Sequence, residues 1–211
     1  MKRIFILLLF TVLQSQAAEI DSQFWGTTGL LYKPSSTTQL YLETEARYYD
    51  QASHNKFNRT TLGLTWSARP WLSFMANYWR GSIKSDKWID EQKPELAVNF
   101  KIKMGKWELS NRQKYEYRVR EGAQNIHMYK TRAQICHSHT IFGFKCKDYL
   151  NDEIFYNATQ DYTSLNRVRL GTEINLTRHL RPDLGLVFQS NNRRGSWDHV
   201  VALALKLNVV L

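Results

Sequence analysis

Apolar side chains recur at every second position along most of this chain, in stretches of about ten residues set apart by turn-forming residues. A period of two is that of a β-strand, whose successive side chains point to opposite faces. From Thr38 to Tyr49 one face reads Leu40, Leu42, Thr44, Ala46 and Tyr48, and the other reads Gln39, Tyr41, Glu43, Glu45 and Arg47. The first face suits lipid and the second suits water. Leu62, Leu64 and Trp66 then alternate with Arg59, Thr61, Gly63 and Thr65, and past Ala68-Arg69-Pro70 the chain returns through Leu72, Phe74, Ala76 and Tyr78. Two such runs joined by a short turn predict a hairpin.

The alternation continues to the end of the chain. Leu96, Val98, Phe100 and Ile102 oppose Glu95, Asn99, Lys101 and Lys103, and after Met104-Gly105-Lys106 the partner sets Trp107, Leu109, Tyr115 and Tyr117 against Glu108, Arg112, Lys114, Glu116 and Arg118. The runs Tyr129 to Ile135 and Tyr149 to Asn157 are less regular. In the second, Asp152 and Glu153 put a carboxylate on each face, which leaves its register open. Val168, Leu170, Ile174 and Leu176 oppose Arg167, Arg169, Glu173 and Asn175, and a turn around His179 to Pro182 leads into Leu184, Leu186 and Phe188. The closing run sets Val201, Leu203, Leu205, Leu207 and Val209 against Ala202, Ala204, Lys206 and Asn208. That is the amphipathic terminal strand that barrel-assembly machinery reads.

Charges interleaved with apolar residues are what a wall needs when it faces lipid on one side and a wet lumen on the other. The expected fold is therefore all-β, an antiparallel transmembrane barrel. Short links at Ala68 to Pro70 and Met104 to Lys106 alternate with longer ones at Gly81 to Lys93, Arg120 to Ile126, Thr159 to Ser164 and Asn191 to Trp197. Short periplasmic turns and longer outer loops alternate in the same way. Counting back from the C-terminus gives about ten strands starting at Thr38, with Phe24 to Tyr32 as an eleventh extended piece. Eleven is the wrong parity for a barrel with both ends in the periplasm. Either that piece packs inside or below the barrel, or a strand is missed and the total is twelve.

The N-terminus carries an address. Lys2 and Arg3 precede an apolar run from Ile4 to Leu13, and Ser15-Gln16-Ala17 supplies the small residues of a cleavage site. The run is shorter than the about 20 residues a membrane helix needs. Residues 1–17 are expected to be a signal peptide and residues 18–211 a single barrel domain in the cell outer membrane. The net charge of +10 falls to about +8 without Lys2 and Arg3. In an exported chain this excess points to the lumen, or to a rim facing anionic lipopolysaccharide, rather than to nucleic acid. Expected partners are outer-membrane lipid, lipopolysaccharide and the assembly machinery.

An ordered set of short motifs adds a resemblance. It comprises Trp25, Arg59-Thr-Thr-Leu-Gly63-Leu, Leu109-Ser-Asn-Arg112 with Glu116 and Arg118, Tyr149-Leu-Asn-Asp-Glu153-Ile-Phe155, Asn166-Arg167-Val-Arg-Leu-Gly171, Leu184-Gly-Leu-Val-Phe-Gln189 and His199. In this order they resemble the domain-of-unknown-function 2490 family of bacterial outer-membrane barrels, over nearly all of the chain after the signal peptide. The resemblance implies a barrel in the outer membrane and no catalytic residue.

Candidate chemistry lies on the inward faces. They carry Arg47, Arg59, Lys101, Arg112, Lys114, Arg118, Lys130, Arg132, Arg167 and Arg169 with Glu43, Glu45, Glu95, Glu116 and Glu173. In a narrow barrel such groups must pair, because an unpaired buried charge is costly. They form either a network that fills the lumen or a basic constriction that selects anions. Cys136 and Cys146 near one hairpin end are expected to form a disulfide in an oxidising compartment. The alternative joins them with His137 and His139 in a zinc or copper site. Trp25, Trp66, Trp71, Trp79, Trp107 and Trp197 read as interfacial anchors. No spacing among the serines and histidines singles out a nucleophile and its base, and nothing calls for a cofactor. The expected function is thus non-enzymatic: a narrow channel for small solutes, or a structural or envelope-interaction barrel whose lumen is blocked.

Overall fold

Eleven strands carry the alternation in the computed structural model, which describes residues 21–50, 53–84, 87–193 and 196–211; the expected signal peptide lies outside these residues. In chain order they are β1 (Asp21–Tyr32), β2 (Thr38–Tyr49), β3 (His54–Arg69), β4 (Leu72–Lys84), β5 (Trp88–Met104) and β6 (Trp107–Arg120). The second half adds β7 (Ile126–Ile141), β8 (Phe144–Asn157), β9 (Tyr162–Asn175), β10 (Leu180–Arg193) and β11 (Ser196–Val210). Each pairs antiparallel with the next, and β1 pairs with β11 to close the barrel.

The closure corrects the parity expectation. The first extended piece lies neither inside nor below the barrel, and no twelfth strand is needed. Strand β1 joins the wall parallel to β11, in register from Asp21 opposite Val200 to Leu31 opposite Val210. Closure by an antiparallel pair requires an even count, whereas one parallel seam closes an odd one. Leu211 donates its backbone N–H to the Leu31 carbonyl at 2.8 Å, so both strands of the seam finish at the same end.

Two of the longer outer loops are also corrected, those at Gly81 to Lys93 and Asn191 to Trp197, whereas the link between β6 and β7 falls at Arg120 to Ile126 as expected. Strand β4 runs on to Lys84 and β5 begins at Trp88, and β10 and β11 likewise extend to Arg193 and Ser196. The stretch read as a loop from Gly81 to Lys93 is mostly hairpin, with Ser82 Oγ donating to Asp90 Oδ1 at 2.7 Å across it. Strands of up to 17 residues outrun the bilayer, which about 9–11 residues cross, so the hairpin ladder runs on beyond it. Links at the opposite end are short as expected. Phe142 and Gly143, the two residues between β7 and β8, both have positive φ (50° and 83°), the backbone that a two-residue hairpin turn demands.

The two faces sort as the sequence pattern predicts. Leu42, Leu62, Leu96, Leu170, Leu184, Leu203 and Leu205 stand exposed on the outer surface, with Trp66, Trp71, Trp107 and Trp197 nearer the strand ends. Trp25 and Trp79 break the expectation, because both are buried in the lumen rather than anchored at the interface. Small residues make room for them: Trp25 packs against Val187, Ala202 and Ala204. Elsewhere the lumen pairs tyrosine with glycine. A Cβ on Gly63 would come within 2.2 Å of the Tyr41 ring, and one on Gly171 within 2.5 Å of the Tyr149 hydroxyl. Both tyrosines lie directly across the register from these glycines.

Candidate functional site

The lumen holds the candidate site, and strand parity positions it. Odd-numbered residues of β1 to β5 and β9, and even-numbered residues of β6 and β7, face inward and pair across the strands. Glu45 accepts from Arg47 and Arg59 at 2.5 Å each, while Glu43 is held by Arg59 at 3.1 Å and by Lys206 from the other side of the seam. On the opposite wall Glu116 has no exposed surface. It is ringed by Lys130, Arg118 at 3.2 Å and Lys114 at 3.7 Å. Lys114 also reaches Glu95 at 2.9 Å. Glu95 in turn accepts from Asn77, whose Oδ1 accepts from the Tyr41 hydroxyl at 2.6 Å.

Aromatic faces tie these groups into one body. The Arg47 guanidinium lies 3.8 Å from the Trp25 ring centre and 4.4 Å from that of Phe57. Arg167, on β9, reaches Trp25 and Phe155 at 5.0 Å each, bridging side chains whose strands stand well apart in the wall. Lys130 lies 4.2 Å from the Phe155 ring and Lys93 lies 3.9 Å from that of Trp79. Such cation–π contacts are worth about 2 kcal/mol when desolvated. They let a cation be buried against an apolar surface without a carboxylate for every charge.

Most of the residues expected in the lumen network are brought together: Glu43, Glu45, Arg47, Arg59, Glu95, Arg112, Lys114, Glu116, Arg118, Arg167 and Arg169 all form ion pairs there. Arg132 faces Arg112 on one side and Glu153 on the other. Glu153 is already held by Arg112 at 2.5 Å, which leaves this patch rich in cations. Lys101 and Glu173 stand on the same face opposite Ser110 and Lys147. The sequence reading does not place Glu91, Lys93, Arg120, Glu153 or Asp183 in the site. Glu91 has no exposed surface and pairs with Lys93 at 2.7 Å and with Arg120. Continuing the period back from Glu95 through Lys93 to Glu91 is the signal that would have found them.

The cysteines do not pair. Cys136 and Cys146 are both free and buried. With two residues in the turn, every register pair of β7 and β8 joins an even number to an odd one. Cys136 therefore shares the lumenal face with Tyr149, and Cys146 shares the outer face with His139. The wall stands between the two thiols, which removes the expected disulfide and also the metal site built on both cysteines.

One further feature lies on the outer face. A groove of about 400 Å³ interrupts the apolar wall across β1 to β4, lined by Thr28, Thr44, Asn58, Thr60, Arg80 and Ser82.

The fold is similar to that of LpxR from Salmonella typhimurium, with a TM-score of 0.55 over 82% of this chain and 83% of that one at 11% identity. It is also similar to the β domain of the Bordetella autotransporter BrkA, with a TM-score of 0.50 over 80% and 82% at 8% identity. At these identities the likeness is one of fold, that of outer-membrane barrels. No curated protein matches the sequence. One protein family, described as Protein of unknown function (DUF2490), matches residues 22–200.

Proposed function

The chain belongs to the DUF2490 family of proteins of unknown function, and we propose that it is an outer-membrane barrel whose lumen is closed by its own charged and aromatic side chains. It serves the envelope through its wall and its ends, and does not conduct solutes. The observation that carries this reading is the burial of the lumenal side chains on several strands at once. Glu91 and Glu116 have no exposed surface, Trp79 is 1% exposed and Val187 is 0% exposed. A water-filled channel would leave a file of such groups wet. The outer groove with Arg80 and its hydroxyl neighbours supports a role at the wall, since a cation beside hydroxyls suits an anionic headgroup.

Planar-bilayer recording of the refolded barrel tests the proposal. The parent protein is expected to give no stepwise conductance, while Trp25→Ala combined with Phe155→Ala, which removes the rings that Arg167 bridges, is expected to conduct. Steady anion-selective steps from the parent would favour the cation-rich patch around Arg132 as a constriction and would overturn the closed lumen.

A further inference from the structure

The outer face of the β7–β8 hairpin collects three metal-ligating side chains that the lumen network does not use. His137 and His139 are two apart on β7 and so share a face, and Asp148 on β8 is the register partner of His137. Their ligating atoms all lie within 4.8 Å of one another. The two imidazoles stack, with centroids 5.5 Å apart and planes 13° from parallel, and Trp107 packs on His137 at 4.6 Å. His139 Nδ1 approaches Asp148 Oδ2 at 3.4 Å, yet this nitrogen is buried without a hydrogen-bond partner. A buried orphan nitrogen is unfavourable unless something occupies its lone pair.

We propose that His137, His139 and Asp148 form a binding site for a divalent transition-metal ion, zinc being the ion this donor set suits best. Two neutral imidazoles and one carboxylate are the nitrogen and oxygen donors of an open zinc site, which leaves one position for water. A tetrahedral zinc with bonds of about 2.0–2.1 Å holds its donors roughly 3.3 Å apart. The His139–Asp148 approach already matches that spacing, and rotation of the His137 ring supplies the rest. Strand geometry favours the site because the i, i+2 pair and its cross-strand neighbour are fixed by the ladder before any ion arrives. The location also argues for a ligand. Ile135, Ile141 and Leu150 surround the triad as exposed apolar residues on the same face, and an ion-binding role accounts for two imidazoles and a carboxylate among them. Cys136, across the wall, takes no part.

The test is isothermal titration of the refolded full-length barrel in detergent with Zn²⁺ alone, paired with imidazole NMR of the same protein. One equivalent of Zn²⁺ is expected to bind, and His137→Ala or His139→Ala is expected to weaken it at least tenfold. Asp148→Asn should weaken it several-fold, and His54→Ala with His199→Ala should leave it unchanged. Heat-modifiable gel mobility shows which variants fold. Where one does not, the parent's NMR decides, since Zn²⁺ must shift the His137 and His139 rings before those of His54, His127, His179 or His199. Absence of stoichiometric binding, or binding that first perturbs other histidines, overturns the proposal.

Discussion

Replacing Glu116 by glutamine keeps the shape of the side chain and removes the charge that three cations share. In the parent, Glu116 is fully buried and touches Lys130, Arg118 at 3.2 Å and Lys114 at 3.7 Å. Lys114 keeps Glu95 at 2.9 Å, but Lys130 is left with the Phe155 ring at 4.2 Å. Removing one partner of a buried pair destabilises by about 3–5 kcal/mol, because the remaining charge stays out of water. The same change in an exposed pair costs about 0.2–1 kcal/mol. The two figures separate a packed plug from a wet channel. Urea unfolding in lipid vesicles reads the difference, and the double variant Glu116→Gln with Lys130→Met should recover much of the loss, since the orphaned ammonium is gone. A coupling of about 2 kcal/mol or more between the two sites is expected, near the top of the range for residues in contact. A loss of under about 1 kcal/mol for Glu116→Gln alone, with no recovery in the double variant, would mean that water reaches the network and that the lumen is not closed.

Four other outcomes follow from the same structure. Leu205→Arg, on the lipid face, should cost about 2–4 kcal/mol near mid-membrane, and Ala204→Leu should cost about 1–3 kcal/mol by overpacking against Trp25; folding into vesicles measures both, and a neutral Ala204→Leu would show a lumen with spare room. Thiol counting on protein unfolded without reductant should find both Cys136 and Cys146 free, and a single disulfide would contradict the opposite faces assigned to them. In the turn after β2, the hydrogen bond from Lys56 at 2.5 Å holds the Asp50 carboxyl below its ordinary range. A depressed carboxyl stabilises the fold above its unfolded pKa and loses that contribution as pH falls through the folded value, so Lys56→Met should raise the Asp50 midpoint in an NMR titration.

The wall was readable in the sequence because lipid and lumen impose a period of two on nearly every strand. Leu40 through Tyr48 and Leu203 through Val209 show it without interruption. The lumen was readable only where that period was clean. Glu153 lay hidden because Asp152 beside it offers the same chemistry to the other face, and only pairing with Arg132 decides between them. Asp183 follows Pro182, and a proline after a turn signal reads as more turn; in the barrel Pro182 already lies within β10, opposite Leu207, and Asp183 takes Arg169 at 3.1 Å. Trp25 and Trp79 misled because an aromatic near a strand end fits an interfacial girdle and a lumenal plug equally well. The choice rests on what stands opposite, and Ala202 and Ala204 on β11 leave space that only a large ring fills.

Alternation is blind to strand direction, and that is why the seam was not legible. Gln23 and Trp25 inward with Leu30 outward would read the same whichever way β1 ran. The direction is set by the short connection to β2, which makes that pair antiparallel, and by the count of the strands that follow. With ten more strands reversing in turn, β11 must run parallel to β1 wherever the two meet. A parallel pair is slightly less stable per residue than an antiparallel one. At this seam the deficit is offset from inside the lumen, where Trp25 on β1 packs over Ala202 and Ala204 on β11 and Lys206 on β11 reaches past β1 to Glu43 on β2. The side chains that close the pore are thus also those that hold the barrel shut along its weakest line, so a variant that opens the lumen at Trp25 should loosen the seam as well.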